Sequence, residues 1–226
     1  MTTRKTIYNK YDKTKISTLP RVQFNGRIIV ILTVAEAEKA VDYLLHSDVI
    51  GFDTETKPIF KKGRRNKVAL LQVSTRDTCF LFRLNRIGLC APVIRLLETD
   101  MVKKVGLSWH DDIASLKGRG EFTPQGFFEL QDHMRELGVE DMSLAKIYAN
   151  LFGGRISKRE QLSNWEADVL NEKQRAYAAT DAWACVMIYD EYKRLKDTGD
   201  YELIVVPEPD QNTENKNDEE NIPEER

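Results

Sequence analysis

From Arg27 to Lys196 the sequence passes from short apolar runs of strand length to longer segments with apolar residues at helical spacing, and this order constrains the fold more than any other feature. RIIVILT reads as a strand, and AEAEKAVDYLLHS, with Ala37, Ala40, Val41, Leu44 and Leu45 on one face, as an amphipathic helix. DVIGFDTET, KVALLQVST and TCFLFRL are three further strands, and the short Arg76-Asp77 link suits a hairpin between the last two. GLCAPVIRLLETD reads as a helix, VKKVGLS as a strand, and DDIASLKGRG as a helix carrying Ile113, Ala114 and Leu116. GFFELQD is expected to be the last strand, after which MSLAKIYANLFGG and NEKQRAYAATDAWACVMIYDEYKRLKD are helical. Such an order predicts an α/β domain over residues 27–206, a mixed sheet flanked by helices, with no second domain and no internal repeat.

Composition narrows the class. At 226 residues, 41% hydrophobic and 31% charged, the chain can bury a sizeable core, and no apolar run approaches the ~18 residues of a membrane span. The N-terminus, MTTRKTIYNKYDKTK, lacks the apolar centre of a secretory signal, so a cytoplasmic location is expected. Cys79, Cys90 and Cys185 are odd in number, far apart and set among apolar neighbours, which reads as core filling rather than disulfides or a zinc site. Residues 207–226 carry eight acids and two bases; removing their net −6 from the chain's −2 leaves the body at +4. With almost no apolar content, this tail is expected to be disordered. The first 26 residues form a basic arm, six Lys or Arg against Asp12, able to bind phosphates though more commonly just solvated.

The chemistry is announced by acids. Asp53 and Glu55 in GFDTET are two apart on a strand, so both carboxylates face one side. An exposed strand face is the plain explanation; a cation site at the end of an apolar strand is the sharper one. Asp111 and Asp112 stand where a strand gives way to a helix. One of them is expected to be an N-cap, and if Asp112 lies in the first turn its side chain can project into a site while Asp111 or Ser108 serves the helix end. Tyr177 and Asp181 in YAATD are one turn apart on a helix. Tyr177 could simply bury its ring, but an acid among Ala178, Ala179, Ala182, Trp183 and Ala184 calls for a cation. Brought together, these carboxylates suit a pair of divalent ions, and hard oxygen donors select Mg²⁺ or Mn²⁺ over zinc.

DTE at 53–55, GLSWHDD at 106–112 and YAATD at 177–181 resemble, in order and spacing, the 3'-to-5' exonucleases of the DEDD superfamily. The tyrosine resembles the branch of ribonuclease D and the Werner-syndrome exonuclease domain, and the likeness covers roughly Arg27 to Lys196, including QLSNWEADVLNEKQRAYAATDAWA. The resemblance implies a ribonuclease-H-like fold, two metal ions held by Asp53, Glu55, Asp112 and Asp181, and an attacking water positioned by Tyr177. It also selects Asp112 over Asp111, because the family places an apolar residue four positions after its acid and Leu116 fills that place.

The expected activity is hydrolysis of phosphodiester bonds from the 3' end, releasing nucleoside 5'-monophosphates. Lys57, Lys61, Lys62, Arg64, Arg65 and Lys67, after the DTE strand, are candidates for holding the nucleic-acid backbone, against the plainer reading of a solvated loop. Trp109, His110 and Phe60 are candidates for stacking on bases, with at least one of them expected in the core. DNA is modestly favoured over RNA, because the chain leaves no room for the helical RNA-binding domain of ribonuclease D. An RNA-trimming enzyme and a catalytically inactive nucleic-acid-binding module are the alternatives.

Overall fold

The computed structural model describes residues 4–59 and 66–207. In chain order the elements are β1 (Lys5–Tyr8), α1 (Lys13–Ile16), β2 (Arg21–Val22), β3 (Arg27–Ile31), α2 (Val34–Leu44), β4 (Val49–Glu55), β5 (Leu70–Ser74), β6 (Thr78–Phe82), α3 (Leu84–Ile87) and α4 (Ala91–Glu98). They continue with β7 (Lys103–Gly106), α5 (Trp109–Lys117), β8 (Phe127–Glu129), α6 (Leu130–Glu136), α7 (Leu144–Phe152), β9 (Arg155–Ile156), α8 (Glu172–Thr198) and β10 (Tyr201–Ile204). Six strands form one sheet in the order β3-β6-β5-β4-β7-β8. The β4–β5 and β5–β6 pairs are antiparallel and the other three parallel, the mixed sheet the sequence predicts, with the expected hairpin at Arg76-Asp77.

The sheet is covered on both faces. Ile50 and Phe52 of β4 enter a core with α2, α4 and α5, while Val49 packs with α6, α7 and α8 on the other side. Strand alternation therefore sends Val49, Gly51, Asp53 and Glu55 to the α8 face. At Gly51 the helix sits so close that a Cβ would lie 1.8 Å from the Ala182 carbonyl oxygen. The run of alanines in α8, with Ala178, Ala179, Ala182 and Ala184 fully buried, permits that approach. Among the described residues no helix is long and apolar enough to cross a membrane.

Three local expectations are corrected. GFFELQD is strand only to Glu129; Leu130 opens α6, and β9 and β10 follow, so it is not the last strand. Neither Asp111 nor the hydroxyl of Ser108 caps α5, which begins at Trp109 and places both aspartates in its first turn. The cap is instead non-local: the Glu129 carboxylate accepts from the backbone N–H of Ser108 (2.9 Å) and of Trp109 (3.1 Å), beside a left-handed Ser108 at φ 57°. A cap supplied from another strand leaves no mark in the local sequence. Finally, the segment read as a basic arm is docked where it is described. β1 pairs in parallel with β10, β2 pairs in parallel with β9, and the Phe24 N–H donates to Thr180 Oγ1 at 3.0 Å. The acidic tail from residue 208 lies outside the described residues.

Candidate active site

The sheet parity and the α8 approach together build an acidic cluster. Asp53 and Glu55 reach the α8 face at the end of β4, and Asp181 meets them from the helix, so that one carboxylate oxygen of each lies within 4.8 Å of the others. Glu55 is 8% and Asp181 7% exposed, too little for water to neutralise such proximity. Asp112 approaches from the opposite side of the strand, as α5 belongs to the other helical layer, and accepts a hydrogen bond from the Thr54 hydroxyl. It is half-buried, whereas Asp111 is exposed. Tyr177 stands one turn before Asp181, whose charge acts on its phenol, and its ring packs 6.0 Å from Trp165.

Burial pushes all four carboxyls up, Asp53 to about 6, Asp112 to about 8 and Glu55 to about 10, with repulsion from neighbouring carboxylates adding to the shift of Asp112 and Glu55. Asp181 is raised well above the ordinary value, burial first and then Asp53 being the causes, with partial relief from Tyr177 and Lys158. The Tyr177 phenol is raised too, mainly by burial and the charge of Asp181, so it stays neutral. None of the four acids forms an ion pair among the described residues. Buried oxygen donors left unpaired in this way fit hard divalent cations. Cys185 lines the same cleft, and burial pushes its thiol up.

The raised carboxyls fix the sign of a pH effect. The native state holds more protons than the unfolded chain above the ordinary carboxyl values of 3.8 and 4.5, so stability falls as pH rises through about 6 and about 8. In chelator, the melting temperature is expected to drop steadily from pH ~5 to pH ~8. Asp53→Asn should flatten the lower part of that slope and raise Tm at neutral pH, by roughly 1–3 kcal/mol of stability. Thermal melts at several pH values check this; a flat profile for the wild type would contradict the cluster's unpaired burial.

Sequence reasoning missed two contributors. Gln72, directly opposite Asp53 in the β4–β5 register, donates to its Oδ2 at 2.7 Å and is fully buried. Its signal was present, a lone amide in the apolar run LLQVS. Lys158 lines the cleft with Asp53, Glu55, Tyr177 and Asp181, from a loop that carries no motif of its own. The basic segment fares differently. Lys57 is paired with Glu166 at 3.3 Å, and Phe60, Lys61, Lys62, Arg64 and Arg65 lie outside the described residues. Trp109 is a packing residue, stacked on Phe127 (4.9 Å) and on His110 (3.8 Å), which leaves little ring face for a base. His110 keeps an exposed side chain, 70% accessible, beside Glu129.

Residues 28–195 match the family model described as 3'-5' exonuclease. The mouse bifunctional 3'-5' exonuclease/ATP-dependent helicase WRN is 32% identical over 190 residues, 80% of this chain but 14% of that protein's length. An Arabidopsis thaliana 3'-5' exonuclease is 27% identical over 213 residues, 86% of this chain and 74% of its own. In fold, the crystal structure of Escherichia coli RNase D, an exoribonuclease involved in structured RNA processing, superposes with a TM-score of 0.65 at 19% identity. It covers 76% of this chain and 46% of that one.

Proposed function

Because the chain belongs to the 3'-5' exonuclease family, we propose that it hydrolyses single-stranded nucleic acid from the 3' end, DNA in preference to RNA, at the Asp53-Glu55-Asp112-Asp181 cluster. The observation that carries the reading is the convergence of three carboxylates, buried or half-buried and with no ion-pair partner among the described residues, within 4.8 Å, with Asp112 alongside. Asp53, Glu55 and Asp181 would hold two Mg²⁺ or Mn²⁺ ions with Asp112. When bound, these ions supply the charge that activates a water and stabilises the leaving 3' oxygen.

The chain's own groups complete the reaction. Tyr177, kept neutral, orients the water through its phenolic hydroxyl rather than acting as a base. Gln72 fixes the rotamer of Asp53, and Thr54 that of Asp112. Hydrolysis forms one P–O bond to the water and breaks the P–O3' bond, leaving a nucleoside 5'-monophosphate and a shortened strand with a free 3' hydroxyl.

DNA is favoured by the sequence likeness to WRN, whose name joins the exonuclease to a helicase; RNA is the second reading, favoured by the likeness in fold to RNase D. Incubation of 5'-labelled DNA and RNA of one sequence with Mg²⁺, Mn²⁺ or chelator tests both. A metal-dependent ladder shrinking from the 3' end is expected, faster on DNA, and slowed about 10²-fold or more by Tyr177→Phe. Intact substrate with folded protein would favour a binding module without catalysis, and an unchanged Tyr177→Phe rate would remove the water-orienting role.

A further inference from the structure

The acidic cleft opens onto a basic one, since Tyr177, Ile156 and Ser157 line both. The walls of the second cleft are β2, the start of α8 and the loop after β9, carrying Arg21, Lys173 and Arg159, with Arg155 and Lys158 on the adjoining face. Elsewhere some basic side chains are matched by acids, as with Lys5–Glu191, Arg76–Asp48, Arg95–Asp42 and Lys146–Asp141, and others, such as Lys13, Lys39 and Lys117, are scattered singly. Arg21, Arg155, Lys158, Arg159 and Lys173 make no side-chain ion pair or hydrogen bond among the described residues. Of the acids in the cleft, Glu160 accepts from the Ser163 hydroxyl at 2.8 Å, and Glu172 stands in the first turn of α8.

The pairing register adds an independent sign. Arg21 and Arg155 are directly opposed in the β2–β9 ladder, two like charges that destabilise a ribbon only one residue pair longer. The ribbon is nevertheless built firmly. The Arg155 N–H donates to the Pro20 carbonyl at 2.9 Å, Phe24 is tied to Thr180, and Gly154 lets Val22 pack so close that a Cβ would sit 2.5 Å from it. A firmly held backbone that sets Arg21 and Arg155 at one register position, both lining the same groove with no acid paired to either, is an arrangement that a polyanion relieves.

Resting on the exonuclease reading, we propose that the β2–β9 ribbon and the start of α8 grip the phosphodiester backbone of the substrate strand on the 5' side of the scissile bond. The terminal nucleotide occupies the acidic cleft, and the preceding phosphates cross Tyr177 into the basic one. The docked N-terminal segment is thereby part of the substrate path. Its guanidinium forks suit phosphate oxygens without reading bases, so the grip is indifferent to sequence.

The test is fluorescence anisotropy with a 5'-labelled, phosphorothioate-linked single strand of about 12 nucleotides, a length such grooves span, in Mg²⁺ at several salt concentrations. Arg21→Ala/Arg155→Ala is expected to weaken binding about tenfold or more and to make the slope of log K against log salt shallower by about 1.4, the loss of two phosphate contacts. Arg21→Lys/Arg155→Lys should keep most of the slope, and the alanine variant should melt no lower than wild type, since an opposed like-charge pair has gone. If the alanine pair fails to fold, Arg159→Ala/Lys173→Ala, at exposed positions, gives the same reading. Wild-type affinity and slope in the variants, with a nuclease ladder intact, would overturn the ribbon site alone. Binding lost in the variant while wild type binds without cleaving would uphold the ribbon and sink the nuclease reading. A wild type that neither binds nor cleaves would sink both.

Discussion

Asp53→Ala is expected to lower the hydrolytic rate by about 10³ to 10⁴, the several kcal/mol that a metal-held charge contributes to phosphoryl transfer. Asp53 belongs to the cluster with Glu55 and Asp181, and its charge pushes up the carboxyls of Glu55, Asp112 and Asp181 alike. Removing it takes one donor from the group that spans 4.8 Å and leaves Gln72 without its acceptor. The fold should survive, because a repulsive buried charge is lost with it. Single-turnover cleavage of labelled DNA, with circular dichroism to confirm folding, measures both halves. Near-wild-type turnover from the alanine variant would remove Asp53 from the site.

Gly51→Ala is expected to damage both stability and activity, although it adds only one methyl group and alters no charge. The new Cβ would stand 1.8 Å from the Ala182 carbonyl oxygen and 2.8 Å from its carbon, backbone atoms that move only if α8 moves. Overpacking of this kind costs roughly 3 kcal/mol or more, a fall in Tm on the order of 10 °C for a domain of this size. Asp181 precedes Ala182 on the same helix, so the retreat separates it from Asp53 and Glu55. A displacement of about 1 Å at a reacting centre can cost on the order of 10²-fold in rate. Thermal melts and cleavage assays at a temperature where the variant is folded distinguish the two losses. An unchanged Tm would mean that α8 and β4 do not make the close approach from which the site is built.

Much of this was written in local patterns. The six sheet strands, α2, α4, α5 and the long α8 follow from period and apolar runs, whereas the four-residue α3 was too short to show a repeat and was not read. The short pairings β1–β10 and β2–β9 did not, since ladders of four and two residues joined across most of the chain leave no periodic trace. The start of α5 was misjudged for a related reason: its cap is Glu129, a carboxylate from another strand.

The sequence by itself determined which acids share a face, for that is a matter of chain geometry. Residues two apart on a strand and four apart on a helix are neighbours whatever the rest of the fold does, so Asp53 with Glu55 and Tyr177 with Asp181 were fixed pairs. Only the tertiary structure decided how those pairs meet. Gly51 against Ala182 brings β4 and α8 into contact and closes three carboxylates to within 4.8 Å, while Asp112 arrives from the opposite helical layer onto Thr54. It also decided that Lys57 is spent on Glu166 and Trp109 on packing, whereas Arg21 and Arg155, 134 positions apart, share one register position unpaired beside the site. Charge along a chain says how many cations there are. Which of them remain free for a phosphate depends on the acids that folding places beside them.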